Sequence, residues 1–175
     1  VFLGLNGIHA PLLVPLTLFV LWSLSPVIAW KISLPLKGSL RRLTPNDREY
    51  LRQVGFSTWR YFDSFLIPEY NFLIPDNLQI VPERVVAERT SPTNMSLSLM
   101  SVISAFDLGF IPLPGVVFRL ESTFTALAKL ERFHGHFLNW YDIRHLRPLP
   151  PRYISTVDSG NLVGHFIAIR ATLQS

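Results

Sequence analysis

Two aspartates, Asp142 and Asp158, lie in polar stretches whose residue types suit carbohydrate chemistry. Glycosidic bonds are broken by pairs of carboxyl groups, set about 5 to 5.5 Å apart in retaining enzymes and about 6.5 to 9.5 Å apart in inverting ones. An aspartate directly before a helix is also a favoured N-terminal cap, and this alternative stays open for Asp158. Asp142 and Asp158 are therefore the two catalytic candidates.

The three residues before Asp142 indicate a sugar-binding subsite. Trp140 and Tyr141 offer flat aromatic faces, which can cover the C–H face of a pyranose, and Asn139 offers an amide for its hydroxyls. A loop packed on its own aromatic side chains is the alternative. Arg89 is a further candidate for holding a substrate oxygen, although an internal ion pair with Glu88 or Asp158 would use the same group.

Motifs for metal or cofactor chemistry are weak in this sequence. His134 and His136 are separated by one residue, but two histidines without a third ligand seldom hold a metal. The sequence contains no glycine-rich phosphate loop, no Ser-His-Asp order and no zinc-ligand spacing. We therefore expect neither a metal nor a cofactor.

The net charge of +4 comes from one short stretch of the 175-residue chain. Lys31, Lys37, Arg41 and Arg42 have no acidic residue among them, while the 12 basic and 12 acidic residues that follow balance each other. A nucleic-acid-binding domain usually spreads its basic residues over a face. The charge pattern therefore argues against a nucleic-acid partner.

The segment before this basic stretch is apolar enough to be a membrane span. From Ile8 to Trp30 the only ionisable side chain is that of His9, and about 20 apolar residues cross a bilayer core as a helix. A signal peptide or a buried core helix are the alternatives, but no basic residue precedes Lys31, as a signal peptide would require. Because positive charges follow the segment, we expect its C-terminal side to face the cytoplasm.

Apolar residues recur at helical spacing in four places beyond residue 43. Helix starts are predicted at Thr44-Pro45, at Ser91-Pro92, after Pro114 and at Asp158, which we expect to cap a helix running to about Leu173. The two intervening stretches, 67–88 and 134–157, lack a sustained period and are predicted to be irregular. The predicted apolar positions are, in chain order, Leu51, Val54, Trp59, Phe62 and Phe65; Met95, Leu99, Val102 and Phe106; Val117, Leu120, Phe124, Leu127 and Leu130; and Leu162, Phe166 and Ile169.

This order of helices predicts where the polar clusters meet. The helices that start near Ser91 and Asp158 are separated by one complete helix, and alternate helices in antiparallel hairpins begin at the same end. The clusters 89–94, 139–142 and 158–161 should therefore lie on one rim, which adds Thr93, Asn94 and Asn161 to the candidate substrate contacts. An α/α toroid carries its active site at such a rim, but six hairpins need a longer chain.

Three long motifs resemble the glucoamylase-like domain of bacterial cyclic β-1,2-glucan synthases. They are residues 89–94 followed by 107–109, residues 135–142, and residues 148–162. Residues 21–26 resemble the end of the membrane region before that domain, and residues 75–79 resemble its loop motif. The resemblance covers nearly the whole chain in the same order.

The resemblance implies an all-α fold with one transmembrane helix, followed by antiparallel helical hairpins that form part of an (α/α)6 toroid. It implies a membrane and juxtamembrane segment at residues 1–38 and an N-terminal part of the toroid domain at 39–175. It also adds Gln79 and His136 to the substrate contacts. The parent enzymes lie in the bacterial inner membrane, and this domain faces the cytoplasm and closes β-1,2-glucan into rings by transglycosylation. The implied partners are the glucan chain, the lipid bilayer and the other domains of the synthase.

Two positions depart from the family pattern. Ile80 stands where the family usually has Glu, and Glu88 stands where it usually has His. The family domain also continues past Ser175, so we expect this chain to hold half a site and to be inactive alone. A non-catalytic, membrane-anchored glucan-binding or structural half-domain is the alternative function.

Overall fold

The computed structural model describes residues 9–34 and 42–174, in two compact units that divide between Arg42 and Leu43. The described residues of the first unit form one helix, α1 (His9–Ile32). Its stretch Val14–Ile32 has 19 residues with a mean hydropathy of 1.4. By length and composition, α1 can therefore cross a bilayer core.

Part of the predicted N-terminal organisation lies outside the described residues. This applies to Ile8, to Lys37 and Arg41 of the basic stretch, and to the predicted boundary between residues 38 and 39. Lys31 lies in the last turn of α1, and Pro15 and Pro26 lie within the same helix. Prolines are tolerated within membrane-spanning helices because neighbouring groups can bond the freed backbone atoms.

The second unit begins with α2 (Pro45–Phe65), whose start agrees with the sequence prediction. The hydroxyl oxygen of Thr44 accepts a hydrogen bond from the Asp47 amide at 3.1 Å, and Asp47 accepts one from the Thr44 amide at 2.8 Å, which completes a capping box. Trp59 and Phe65 are buried, as predicted. The predicted apolar positions Leu51 and Val54 are exposed, so only the second half of α2 packs on the core.

Helix α3 (Pro92–Asp107) is the central helix of this unit. Ser91 caps it by accepting a hydrogen bond from the Asn94 amide, as predicted. Met95 and Leu99 belong to one buried cluster and Val102 to another, so α3 is packed on two sides. Phe106, predicted on the same stripe, is exposed, whereas its neighbour Ala105 is buried.

Helix α4 (Leu113–Lys129) buries the predicted residues Leu127 and Leu130 at its C-terminal end, but the rest of its buried face differs in part from the prediction. Val116 and Thr123 are buried, whereas the predicted Val117 and Phe124 are exposed. The Thr123 hydroxyl donates to the carbonyl of Phe72 at 3.0 Å, which satisfies this polar group inside the protein. Thr123, a polar residue in the sequence pattern, therefore faces the core.

Helix α5 (Thr156–Leu173) begins three residues earlier than predicted. Ser155 is its cap and accepts the amide hydrogen bond of Asp158 at 3.1 Å, so the prediction that Asp158 caps the helix was wrong. Leu162 and Ile169 are buried, with Phe166 packed beside them, as predicted. Helices α3 and α5 run in the same direction and begin side by side.

Three pairs of two-residue strands lie within or directly beside the segments predicted as irregular. All three are antiparallel: β1 (Leu78–Gln79) with β2 (Val85–Val86), β3 (Arg89–Thr90) with β6 (Tyr141–Asp142), and β4 (Arg132–Phe133) with β5 (His136–Phe137). The fold is mainly α, as predicted. The β3–β6 pair matters most here, because it joins two of the polar clusters.

Candidate functional site

The structure brings together the three polar clusters that the sequence places on one rim. Strand pairing sets Arg89 opposite Asp142 and Thr90 opposite Tyr141. At the adjoining helix starts, the Asn161 amide donates to the Thr93 hydroxyl oxygen at 3.1 Å. We call this assembly the rim: residues 89–94, 139–142 and 155–161.

Asp158 is the hydrogen-bonding centre of the rim. Its carboxylate is bonded by Ser155, by Ser91, and by both the hydroxyl and the backbone of Thr93. Burial raises the pKa of Asp158, but these hydrogen bonds outweigh burial, so the net pKa is lowered. From the sequence we expected Asp158 to have a capping or catalytic role. In the structure its carboxylate joins the start of α5 to the start of α3.

Asn139 connects Asp158 to the aromatic part of the rim. With its amide oriented to match donors with acceptors, its nitrogen donates to Asp158 at 3.0 Å, and its oxygen accepts from the indole N–H of Trp140 and from the Tyr153 hydroxyl. The side chain is buried and its backbone N–H donates to the carbonyl of Tyr153 at 2.8 Å. Asn139 is therefore held within the protein rather than offered to a ligand.

Arg89 lies at the exposed edge of the rim. Its guanidinium donates to Asp76 Oδ2 from Nε at 3.3 Å and from Nη2 at 3.1 Å. The guanidinium carbon lies 4.4 Å from the ring centroid of Trp140, within cation–π range. Asn94 donates to the other oxygen of Asp76 at 3.3 Å. The ion pair expected between Arg89 and Glu88 or Asp158 is thus made with Asp76 instead.

Tyr141 is not part of a sugar-binding surface. Its side chain is fully buried, and its hydroxyl donates to the carbonyl of Glu131 at 2.6 Å while accepting from the Leu138 amide at 2.7 Å. Burial raises its pKa. Tyr141 therefore lies in the core, whereas Trp140, which directly precedes β6, is only partly buried.

Asp142 organises the turn that follows it. Its Oδ1 accepts from the amides of Arg144 and His145, both at 2.8 Å, and from the His145 ring at 3.2 Å. Burial raises the pKa of Asp142, but the bonds from His145 and Arg144 outweigh burial and lower it overall. This carboxylate, a catalytic candidate in the sequence, therefore has a local structural role in the turn.

Glu88, which departs from the family pattern, belongs to a separate cluster beside the rim. Its two oxygens accept from Nη2 and Nε of Arg144 at 2.6 and 2.7 Å, and the Tyr70 hydroxyl donates to it at 3.1 Å. The bonds from Arg144 lower the pKa of Glu88, against the opposing effect of burial. Glu88 therefore holds the 142–146 turn rather than a ligand.

The remaining predicted contacts lie on hairpins. His136 is exposed in β5 and Gln79 is exposed in β1, on hairpins separate from the β3–β6 pair. Ile80, the second departure, is exposed next to Gln79. Within residues 9–34 and 42–174, no group of three or more His, Cys, Asp or Glu side chains is arranged to hold a metal ion.

The arrangement is suited to binding more than to proton transfer. Both candidate carboxylates, Asp142 and Asp158, have lowered pKa values and are ionised near neutral pH, so neither is poised to donate a proton. Arg89 keeps an exposed edge. Asp76, which was not among the predicted site residues, organises that edge; its signal in the sequence was its position in the 75–79 loop motif.

Sequence comparison gives one informative match. No protein-family profile matches the chain. The chain is 43% identical over 151 residues to the cyclic β-(1,2)-glucan synthase NdvB of Rhizobium meliloti (strain 1021), which covers 86% of this chain. The chain is homologous to this segment of the synthase. The resemblance inferred from the motifs is therefore confirmed, although the chain spans only 5% of the length of the synthase.

One solved structure has a fold similar to that of this chain. A glucoamylase-like protein from Bacteroides fragilis NCTC 9343 superposes with a TM-score of 0.60 over 75% of this chain and 32% of its own, at 19% identity. At that identity the likeness concerns the fold alone. The mainly helical, glucoamylase-like fold expected of this part of the synthase is thereby supported.

Proposed function

We propose that this chain is the membrane-exit helix (residues 1–38) and the first part (residues 39–175) of the glucan-cyclising domain of a cyclic β-1,2-glucan synthase. The 43% identity over 151 residues is the observation that carries this proposal. In the proposed reaction, a glycosidic C1–O bond of linear β-1,2-glucan breaks, and C1 is transferred to the O2 hydroxyl at the other end of the same chain. The hydroxyl proton ends on the leaving oxygen.

The role proposed for this segment is to form one wall of the glucan groove. Arg89, Thr93, Asn94 and Asn161 bring hydrogen-bonding groups to the rim. Asp76 holds Arg89 and Asn94, and Asp158 holds Thr93. Further hairpins, beyond this segment, would complete an (α/α)6 toroid and supply the proton donor. Asp142 and Asp158 are both held by hydrogen bonds within the protein, which favours a proton donor located outside this segment.

The same hydrogen bonds also favour a second candidate function, that of a membrane-anchored module that binds glucan without catalysing a reaction. The two candidates agree on binding and differ on catalysis. We infer for both a location in the bacterial inner membrane, with the second unit on the cytoplasmic side, because Lys31 and the basic residues that follow it retain α1 in that orientation. Reporter fusions after Arg42 test the orientation; periplasmic reporter activity would contradict it.

A binding experiment tests the proposed function directly. The full chain, in detergent micelles, is titrated with linear β-1,2-gluco-oligosaccharides and, as a control, with β-1,4-linked ones of equal length. We expect saturable binding of the β-1,2 series only, and no cyclic product by mass spectrometry. Equal binding of both series, or none, would contradict the proposal, and cyclic product would assign catalysis to this segment.

A further inference from the structure

Arg89 is held between an acid and an aromatic ring. Its guanidinium is paired with Asp76 on one edge and lies over the Trp140 ring, with 4.4 Å between the guanidinium carbon and the ring centroid. A planar guanidinium stacks on an aromatic face, which a lysine ammonium does not do. One face of the Trp140 indole is therefore covered by Arg89.

Asp76 is itself fixed by its surroundings. Its Oδ2 accepts from Arg89 and from the Asn77 amide at 3.1 Å, and its Oδ1 accepts from Asn94 at 3.3 Å. Its backbone N–H donates to the carbonyl of Ala87 at 3.2 Å, so the ends of the β1–β2 hairpin hold it in place. One carboxylate thus orients two side chains of the rim.

From this geometry we propose that Asp76 is a positioning residue of the glucan site, which holds Arg89 flat on Trp140 so that the guanidinium contacts the sugar. The proposal rests on the proposed function and deepens it. The sugar hydroxyls then accept hydrogen bonds from Arg89, while Trp140 supports the guanidinium from below. The covered face of the indole is not available for stacking on a pyranose.

The chain contains a matched assembly that serves as a control. Arg119 donates to Asp63 at 2.6 Å and lies 5.6 Å from the ring centroid of Trp59, between α2 and α4. The residue types are the same, but Trp59 is buried and belongs to the core. A substitution in this second assembly reproduces the chemical change without touching the rim.

Binding of linear β-1,2-gluco-oligosaccharides to the full chain in micelles tests the proposal, because substitutions at the rim should weaken binding rather than tighten it. We expect Arg89→Ala and Asp76→Asn to weaken binding by roughly tenfold, as befits the loss of a charge-assisted hydrogen bond. Arg89→Lys should weaken it similarly, and Asp63→Asn should leave it unchanged. If the sugar instead stacks on Trp140, Arg89→Ala uncovers the indole and binding tightens.

Acrylamide quenching of the Trp140 fluorescence, isolated by subtracting the signal of Trp140→Phe, reads the positioning without any sugar. We expect both Arg89→Ala and Asp76→Asn to increase the quenching of Trp140, and Asp63→Asn to leave it unchanged. Unchanged quenching, or unchanged or tighter binding in the two rim variants, overturns this inference alone. Absence of saturable binding by the unaltered chain overturns the proposed function as well.

Discussion

The two Asp–Arg–Trp assemblies of this protein are built from the same residue types and differ in which member faces solvent. At the rim, the side chain of Asp76 is 20% exposed and that of Arg89 is 48% exposed. Between α2 and α4 the order is reversed, with Asp63 at 47% and Arg119 at 23%. The rim therefore presents a cation to solvent, and the α2–α4 assembly presents an anion.

This reversal distinguishes the proposed glucan-binding surface from a packing contact. Trp59 and Val116 share a buried cluster, and Arg119 lies over the ring of Trp59. We therefore expect that assembly to contribute to stability. Trp140 is only partly buried, and its N–H bonds to Asn139, which in turn bonds to Asp158. The rim assembly is thus one end of a network across three segments of the chain. Substitutions should therefore affect stability at one assembly and glucan binding at the other.

The largest expected effect distinguishes the two tryptophans. Trp59→Ala should lower the free energy of unfolding by about 3–5 kcal/mol, because it removes a buried aromatic ring from the core. Trp140→Ala should cost clearly less, because its ring is partly exposed already. Chemical denaturation of both variants, followed by circular dichroism, measures the difference. Equal losses would show that the rim is a packing contact like the other assembly.

The next largest effect concerns the centre of the rim. Asp158→Ala should cost about 1–3 kcal/mol, since it leaves the buried donors of Ser91 and Asn139 and the half-buried donor of Thr93 without an acceptor. The matched control is Asp107→Ala, at the exposed end of α3, which should change the unfolding free energy little. If Asp158→Ala is as mild as its control, Asp158 is available for another role, including catalysis.

The pH dependence of stability should report the same network. Because the pKa values of Asp158 and Asp142 are lowered in the folded protein, their contribution is complete above the unfolded pKa of about 4 and is lost as the pH falls through the folded values. Urea denaturation at a series of pH values should show stability declining below about pH 4. In Asp158→Asn this decline should be shallower. An unchanged decline would remove Asp158 from the network.

The smallest effect tests the departure at Glu88. Glu88→His introduces the residue usual in the family and removes the ion pair with Arg144, whose partners are both well exposed. We expect a loss of about 0.2–1 kcal/mol, as for other exposed pairs, and no change in glucan binding. A change in binding, measured beside Asp63→Asn, would extend the functional surface to the 142–146 turn.

Local signals in the sequence predicted much of the helical frame. The capping residues Thr44 and Ser91 identified two helix starts, because such caps act on amides two or three residues away. The spacing of the helices predicted that α3 and α5 begin side by side. At the start of α5 the signal was ambiguous, because Ser155 and Asp158 are both favoured caps and only the backbone decides which one bonds the amide.

The site was less predictable because its partners are distant in sequence. Asp76 contacts Arg89 and Asn94 across 13 and 18 residues, and no pattern in the sequence specifies such pairs. The roles of Trp140 and Tyr141 depend on the placement of β6, which buries Tyr141 and leaves Trp140 just outside the strand, and the pairing of β3 with β6 decides that placement. Asp142 is engaged by the two amides that follow it, which is a property of the turn.

Hydrogen–deuterium exchange of the full chain, with and without linear β-1,2-gluco-oligosaccharide, tests the central claim that the rim binds glucan. The account predicts slower exchange in peptides covering residues 89–94, 139–142 and 155–161 when the oligosaccharide is present. Peptides from residues 45–56, the exposed half of α2, should be unchanged and serve as the internal control. Protection confined to α2, or to the α2–α4 assembly around Trp59, would contradict the account and place the glucan elsewhere.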